Sequence, residues 1–240
     1  PIEELGEKLL EYVVSAPRLY YHFGRDPVFN NRIIRLWQHL LGKMTKKGTG
    51  PVAIEDSKLL MQQFRRVKSP SELEKIKRAI AISSKAHNAI REMVRPGIYE
   101  YEIQAAIENI FRREGAMGPA YPSIVATGEN ACILHYVENN QPLKDGDFLL
   151  VDAGCAYEYY NADITRTLPV GDQISEEQKI LYDLVLEAQL AAIEKVRPGE
   201  PFNAFHDAAT TVITAGLVDL GLLIGDVDKL IEEKKHKALF

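Results

Sequence analysis

The sequence has little that would stabilise a fold covalently or place it in a membrane: two cysteines and no long apolar stretch among 240 residues. Cys132 and Cys155 lie far apart and form no Cys-x-x-Cys pair, so a disulfide framework is not expected. No apolar run approaches the roughly 18 residues of a membrane span, and no basic-then-apolar signal peptide opens the chain. These absences predict a cytoplasmic protein without a membrane partner.

The sequence also lacks an excess of positive charge and several common catalytic motifs. Its net charge is −5, with 26% charged and 46% hydrophobic residues, which is an ordinary globular composition. A nucleic-acid partner is therefore not expected. There is no His-Glu-x-x-His, Gly-x-Ser-x-Gly or phosphate-loop pattern. Composition leaves the oligomeric state open, and a homo-oligomer is compatible with it.

We predict two parts in the chain, residues 1–67 and residues 68–240. The first part is a mixed α/β segment: a strand at 19–23, a helix that begins at Asp26–Pro27, a loop at 46–50 and a strand at 52–54. The second part opens with Ser69 and Glu72 at the spacing of a capping box. Pro70 then occupies the first position of the next helix.

Apolar residues at helical spacing predict two pairs of helices in the second part. Their apolar positions are Leu73, Ile76, Ile80, Ala86, Ile90 and Met93; Ile103, Ile107, Ile110 and Phe111; Leu181, Leu184, Val185, Ala188 and Ala192; and Phe202, Phe205, Val212, Ile213 and Leu217. Strands are predicted between the two pairs, at 123–126, 133–136, 148–153 and 157–170, with a turn at Asp145–Gly146.

A short repeat links the two helix pairs. Val94-Arg95-Pro96-Gly97 and Val196-Arg197-Pro198-Gly199 are identical, and each lies between two predicted helices. Pro-Gly is a common helix stop, so these four residues alone are weak evidence. Ser175 and Gln178 repeat the capping spacing of the first pair. The matching context favours a duplicated unit, with helix pairs related by an approximate twofold axis.

Two carboxylates lie at the ends of neighbouring predicted strands. Asp152 follows Leu149-Leu150-Val151, and Asp163 follows Asn161-Ala162. A short connection would bring the carboxylates within about 6 Å, where like charges share a proton or hold a cation. Carboxylate oxygens suit Mg, Mn or Ca, or a mixed site with Mn, Co or Zn. Spacing alone favours the simpler interpretation that Asp152 is a turn residue at the end of a strand and Asp163 a solvated residue.

His135 is a further candidate for chemistry. It lies in Cys132-Ile133-Leu134-His135-Tyr136, within a predicted strand. A histidine there can serve a site as a hydrogen-bond or proton donor, but more often such a residue is a satisfied core histidine. The other histidines show no partner spacing, which favours surface or core roles for His22, His39, His87, His206 and His236.

Three motifs together resemble the Xaa-Pro aminopeptidases of the pita-bread metallopeptidase family. They are Gly-Glu-Asn-Ala-Cys-Ile-Leu-His-Tyr at 128–136, Leu-Val-Asp-Ala-Gly-Cys at 150–155 and Ala-Asp-Ile-Thr-Arg-Thr at 162–167. The resemblance implies an α/β (α+β) pita-bread fold over residues 68–240. The first half and the helices of the second pseudo-repeat would be present. Residues 1–67 would be the C-terminal part of the family's N-terminal domain.

The resemblance also implies a site for two divalent ions, held by two Asp, one His and two Glu. Asp152 and Asp163 match the two Asp, and His135 matches the histidine that assists at the scissile peptide. Manganese is the expected metal, with cobalt or zinc as alternatives. The remaining His and both Glu have no match. We therefore expect an inactive fragment truncated at both ends, with apolar faces exposed near Ile124, Leu134 and Leu149.

The substrate that the resemblance implies is a peptide with proline in second position, from which the N-terminal residue is released. A prolidase, which cleaves X-Pro dipeptides on the same scaffold, remains an alternative. So does a non-catalytic pita-bread module that binds peptides or proteins. Intact Asp152, Asp163 and His135 argue against the module, and the surroundings of Cys132 and Cys155 favour the aminopeptidase.

Overall fold

The computed structural model describes residues 4–48, 50–172 and 174–239, where helices alternate with short strands. The helices are α1 (Leu5–Val13), α2 (Pro27–Lys47), α3 (Ser57–Arg66), α4 (Pro70–Ile90), α5 (Glu100–Arg113), α6 (Glu176–Glu194), α7 (Ala204–Asp219) and α8 (Val227–Glu232). The strands are β1 (Arg18–Tyr20), β2 (Ala53–Glu55), β3 (Gly118–Pro119), β4 (Ile124–Thr127), β5 (Phe148–Asp152), β6 (Cys155–Tyr157), β7 (Tyr160–Asn161) and β8 (Thr165–Pro169). Short 3₁₀ turns cover Gly128–Cys132 and Lys235–Ala238.

The chain separates into two compact units, Pro1–Glu74 and Lys75–Phe240. The division falls inside α4, shortly after the predicted boundary. Within the first unit β1 and β2 pair in parallel, with Leu19 opposite Ile54. The assignment of residues 1–67 to the end of an N-terminal domain stays a prediction.

The first unit confirms the predicted strand at 52–54 and the predicted helix start, while the strand predicted at 19–23 ends already at Tyr20. The Asp26 carboxylate caps α2 by accepting hydrogen bonds from the N–H groups of Val28 and Phe29, at 2.8 and 3.1 Å. The loop predicted at 46–50 is wrong at its beginning, because α2 continues into it, while Thr49 lies outside the described residues. The helices α1 and α3 were not predicted. The helix α3 buries no residue, although Leu60 and Phe64 lie four residues apart on it.

The core of the second unit lies between an antiparallel sheet and two helices. The sheet has the order β4-β5-β8, with Val125 opposite Val151 and Val151 opposite Arg166. Side chains alternate along the central strand β5, so Leu149 and Val151 are fully buried while Asp152 is half-buried. Apolar residues of α4 and α5 complete the same core: Ala79, Ile82, Ala86, Ile90, Ile103, Ile107 and Phe111.

The strand predictions for this unit are partly wrong. The segment 133–136 forms a turn instead of a strand, with His135 in the left-handed region at a φ of 57°. The predicted strand at 157–170 divides into β7 and β8, joined by a connection. The strands predicted at 123–126 and 148–153 are confirmed as β4 and β5.

Local capping chemistry was predicted correctly. The Ser69 N–H donates to the Glu72 carboxylate at 2.6 Å, and Ser175 and Gln178 form a reciprocal capping box at the start of α6. The apolar stripe predicted for α4 is wrong in part, because Leu73 is exposed and the buried face is shifted around the helix.

The glycines of the two repeat copies have similar backbone conformations. Gly97 and Gly199 follow α4 and α6, with φ values of 89° and 92°. A second helix then begins in each copy, at Glu100 and at Ala204. The twofold relation between the helix pairs stays a prediction. None of the helices in the described ranges is both long enough and apolar enough to cross a membrane.

Candidate metal centre

Asp152 and Asp163 meet at a single phenol. The Tyr121 hydroxyl lies 2.6 Å from Oδ1 of Asp152 and 3.0 Å from Oδ1 of Asp163. A shared partner at these distances keeps the two oxygens within about 6 Å, the range of strong charge interaction, which confirms the predicted proximity. Asp152 ends β5, whereas Asp163 lies in the connection before β8 and not in the neighbouring strand as predicted.

Backbone pairing brings the two carboxylates together. Ala153 N–H donates to Ile164 O at 3.1 Å, and Ala162 N–H donates to Cys155 O at 3.0 Å. Between them Gly154 lies directly against the Ala162 carbonyl. The chain before Asp163 is therefore held against the chain after Asp152.

Three residues along one face of α4 hold the same segment from behind. Ser83 Oγ accepts a hydrogen bond from Cys155 N–H at 3.0 Å, and the Cys155 thiol donates to Ala79 O at 3.4 Å. His87 Nε2 lies 2.9 Å from Ala153 O, so its ring donates there. Burial lowers the pKa of His87, which keeps the ring neutral. Surface or core roles were predicted for His87, and the structure gives it a core role.

His135 lines the same cleft as the two carboxylates. The cleft has a volume of about 430 Å³. Its walls are formed by Tyr121, Pro122, Ile124, His135, Val137, Asp152 and Asp163. Burial raises the pKa of Tyr121 well above its usual range, and the hydrogen bonds to Asp152 and Asp163 add to this effect. The phenol therefore keeps its proton and acts as a donor beside the carboxylates.

Tyr121 is the site residue that the sequence analysis missed. It lies between Ala120 and Pro122, shortly before β4. A tyrosine next to a proline at the start of a strand is common, so its hydroxyl gave no recognisable signal. Only the fold shows that both carboxylates approach it.

The two carboxylates fit part of a metal site. Their hard oxygens and close approach suit divalent ions. Among the described residues, however, no group of three or more His, Cys, Asp and Glu side chains is arranged to hold a metal. The donors of Asp152 and Asp163 therefore need further ligands to complete a site.

Comparisons with known proteins agree with this geometry. The model of metallopeptidase family M24 matches residues 74–236. The Xaa-Pro aminopeptidase of Escherichia coli (strain K12) is 36% identical over 238 residues, covering 99% of this chain and 54% of that protein. The structure of Pseudomonas aeruginosa aminopeptidase PepP matches with a TM-score of 0.91 and 43% identity, over 99% of this chain and 54% of that one. A zinc-substituted E. coli aminopeptidase P in complex with product matches with a TM-score of 0.89 and 34% identity. The match covers 98% of this chain and 54% of that one.

The chain thus spans about half the length of the relatives that it matches. Its agreement with the aminopeptidase P structures confirms the predicted α/β pita-bread fold. The family consists of metallopeptidases, hydrolases that use divalent metal ions. The family model, the sequence identity and the shared fold lead to one conclusion: the chain belongs to metallopeptidase family M24.

Proposed function

We propose that this chain carries part of an Xaa-Pro aminopeptidase, which releases the N-terminal residue from peptides with proline in second position. The observation that carries the proposal is the single cleft lined by Asp152, Asp163 and His135, with both carboxylates beside Tyr121. The substrate class is taken from the relatives named Xaa-Pro aminopeptidase. Those names favour this activity over a prolidase or a non-catalytic module.

Asp152 and Asp163 would hold two divalent ions together with His and Glu ligands from outside the described residues. We propose manganese, with cobalt or zinc as alternatives; a related structure is zinc-substituted. Bound ions would supply Lewis-acid polarisation of the scissile carbonyl and a water of lowered pKa. Tyr121 has one hydroxyl proton, which it can donate to Asp152 or share with Asp163, and this would orient the carboxylates.

His135 would act on the substrate directly. It lines the cleft and is exposed to it, so a peptide bound at the carboxylates lies within its reach. An imidazole N–H there can donate to the oxygen on which charge develops, or assist the proton transfers. This role needs the ring to stay beside Asp152 and Asp163.

Residues 1–240 alone should bind metal weakly and cleave nothing. Two carboxylates offer at most about four oxygen ligand atoms, and the described residues add no third ligand to them. Without further ligands the geometry of two ions is not fixed.

The test compares tripeptide and dipeptide substrates in the presence of Mn²⁺. We expect the protein with its full ligand set to release alanine from Ala-Pro-Ala, and Asp152→Ala or Asp163→Ala to lower kcat/KM by at least about a hundredfold. Asp219→Ala, which removes an exposed acid at the end of α7, should leave activity unchanged. Cleavage of Ala-Pro alone would indicate a prolidase. Turnover by residues 1–240 that Asp152→Ala abolishes would contradict the predicted inactivity.

A further inference from the structure

Glu100 is a fully buried carboxylate outside the candidate metal centre. Its Oε1 accepts hydrogen bonds from Thr127 N–H at 2.8 Å and Asn130 Nδ2 at 3.2 Å. Its Oε2 accepts from the Tyr136 hydroxyl at 2.8 Å and from Gln141 N–H at 3.0 Å. A carboxylate only accepts and has about four lone-pair sites, so these four donors satisfy it fully.

The position of Glu100 in the fold favours a buried negative charge. It is the first residue of α5, where the unpaired N–H groups of a helix stabilise an anion. Its own N–H donates to Gln141 O at 3.0 Å. Burial and the hydrogen bond to Glu100 raise the pKa of Tyr136, so this phenol remains a donor. Helix and donors together offset the cost of removing the carboxylate from water.

All four donors belong to one segment, residues 127–141, and this segment carries His135. Asn130 and Tyr136 stand on either side of 131–135, an outward turn in which Leu134 is 86% exposed. Two backbone hydrogen bonds close the turn, from Ile133 N–H to Asn130 O at 3.0 Å and from Tyr136 N–H to Ile133 O at 3.3 Å, so its place in the fold depends on how Asn130 and Tyr136 are held.

His135 has a backbone conformation that needs support. Its φ of 57° lies in the left-handed region, which costs a residue with a Cβ roughly 1–2 kcal/mol. Such a conformation persists only where the surrounding structure determines it. The residue that follows, Tyr136, is bound to Glu100 and buried. A second anchor lies at Asn139, whose side chain accepts from Val125 N–H at 2.9 Å.

We propose that Glu100 is the positioning residue that fixes segment 127–141 and thereby holds His135 beside Asp152 and Asp163. It acts through the segment and does not itself line the cleft. The catalytic part of this inference rests on the proposed function of His135.

Glu100→Gln tests the inference in residues 1–240. The change keeps the size of the side chain but replaces one acceptor oxygen with an NH₂ group, which must then face existing donors. We expect amide exchange within 127–141 to accelerate at least about tenfold, with α4 and β5 still protected. The imidazole NMR resonance of His135 should shift. Glu102→Gln is the matched control, because it lies in the same helical turn and its carboxylate accepts from Tyr99 N–H.

Tyr136→Phe is a second variant that removes one donor and leaves the buried carboxylate in place. Tyr136→Phe should accelerate amide exchange within 127–141. It tests the role of Glu100 even if the Glu100→Gln protein does not fold. Unchanged exchange and an unchanged His135 resonance in a folded variant would overturn the inference. Loss of protection spread evenly over α4 and β5 would overturn it as well. These measurements involve no turnover, so a failed cleavage assay refutes the proposed function without affecting them.

Discussion

One glycine sets the distance between the two chain segments that carry the candidate ligands. A Cβ on Gly154 would lie 1.9 Å from the carbonyl oxygen of Ala162 and 2.9 Å from the nitrogen of Asp163. The obstructing atoms are backbone and cannot rotate away as a side chain can. The φ of Gly154 lies outside the left-handed region that favours glycine. Lack of space for a side chain, and not backbone conformation, therefore requires glycine here.

Gly154→Ala should therefore lower the free energy of unfolding by about 1–3 kcal/mol, measured by urea titration of residues 1–240. The added methyl group forces the Ala162–Asp163 backbone or its own strand to shift. Gly216→Ala is the control, because there the nearest atom, at 2.3 Å, belongs to the Leu184 side chain, which can change rotamer. A Gly154→Ala protein as stable as the parent would show that this backbone contact relaxes freely.

His87 should make the stability of the second unit depend on pH. Burial lowers the pKa of His87 below its ordinary 6.5, and the hydrogen bond to Ala153 O only partly opposes this. The unfolded chain therefore binds a proton at a higher pH than the folded one does. The contribution of neutral His87 to stability is fully present above about pH 6.5. It is lost as the pH falls toward the pKa of His87 in the folded chain.

We expect the urea midpoint of the parent to fall when pH is lowered from about 7.5 to about 5.5. His87→Gln should show a smaller fall, because glutamine does not titrate. His206→Gln changes an exposed histidine, and its urea midpoint should fall with pH as much as that of the parent. An equal slope in the His87→Gln protein would assign the effect to other groups.

At the scale of elements, one face of α4 supports the candidate site through hydrogen bonds. Ser83 is fully buried, and its Oγ accepts from Cys155 N–H at 3.0 Å. Removing the hydroxyl leaves a buried N–H without a partner, which costs about 1–3 kcal/mol. The helix thus contributes to the geometry of Asp152 without contacting the cleft.

Ser83→Ala should accordingly destabilise residues 1–240 by about 1–3 kcal/mol in urea unfolding. Ser84→Ala makes the same chemical change one residue later, where the side chain is half-exposed, and should stay within about 0.5 kcal/mol of the parent. Equal effects of the two substitutions on the free energy of unfolding would mean that the Cys155 hydrogen bond does not account for the change.

The helix caps that the sequence predicted have local determinants. The capping box of Ser69 and Glu72 involves residues within one turn, so its pattern was sufficient. The turn at 133–136 is positioned through Glu100, a residue distant in sequence. Its apolar residues led to the wrong prediction of a strand. The same difference applies to the site: the motifs identified Asp152 and Asp163, whereas Tyr121 meets them only through the fold.

At the scale of the whole molecule, the exposed apolar surface lies only partly where it was predicted. Exposure was expected near Ile124, Leu134 and Leu149. Ile124 and Leu149 are buried, at 8% and 0% exposure, because they belong to the packed sheet, whereas Leu134 is exposed as predicted. The larger exposed surface is on α6, at Ile180, Leu181, Tyr182, Val185, Leu186, Leu190 and Ile193.

Contiguous apolar surface of this kind drives association in water, so residues 1–240 should self-associate as concentration rises. Leu190 is 54% exposed on α6, and Leu190→Lys should shift the association midpoint to higher concentration in light scattering. Gln189→Lys adds the same charge to the neighbouring exposed position of the helix without removing apolar area. If both substitutions weaken association equally, charge repulsion rather than loss of apolar contact is responsible. If neither does, the surface through which the chains associate lies elsewhere than on α6.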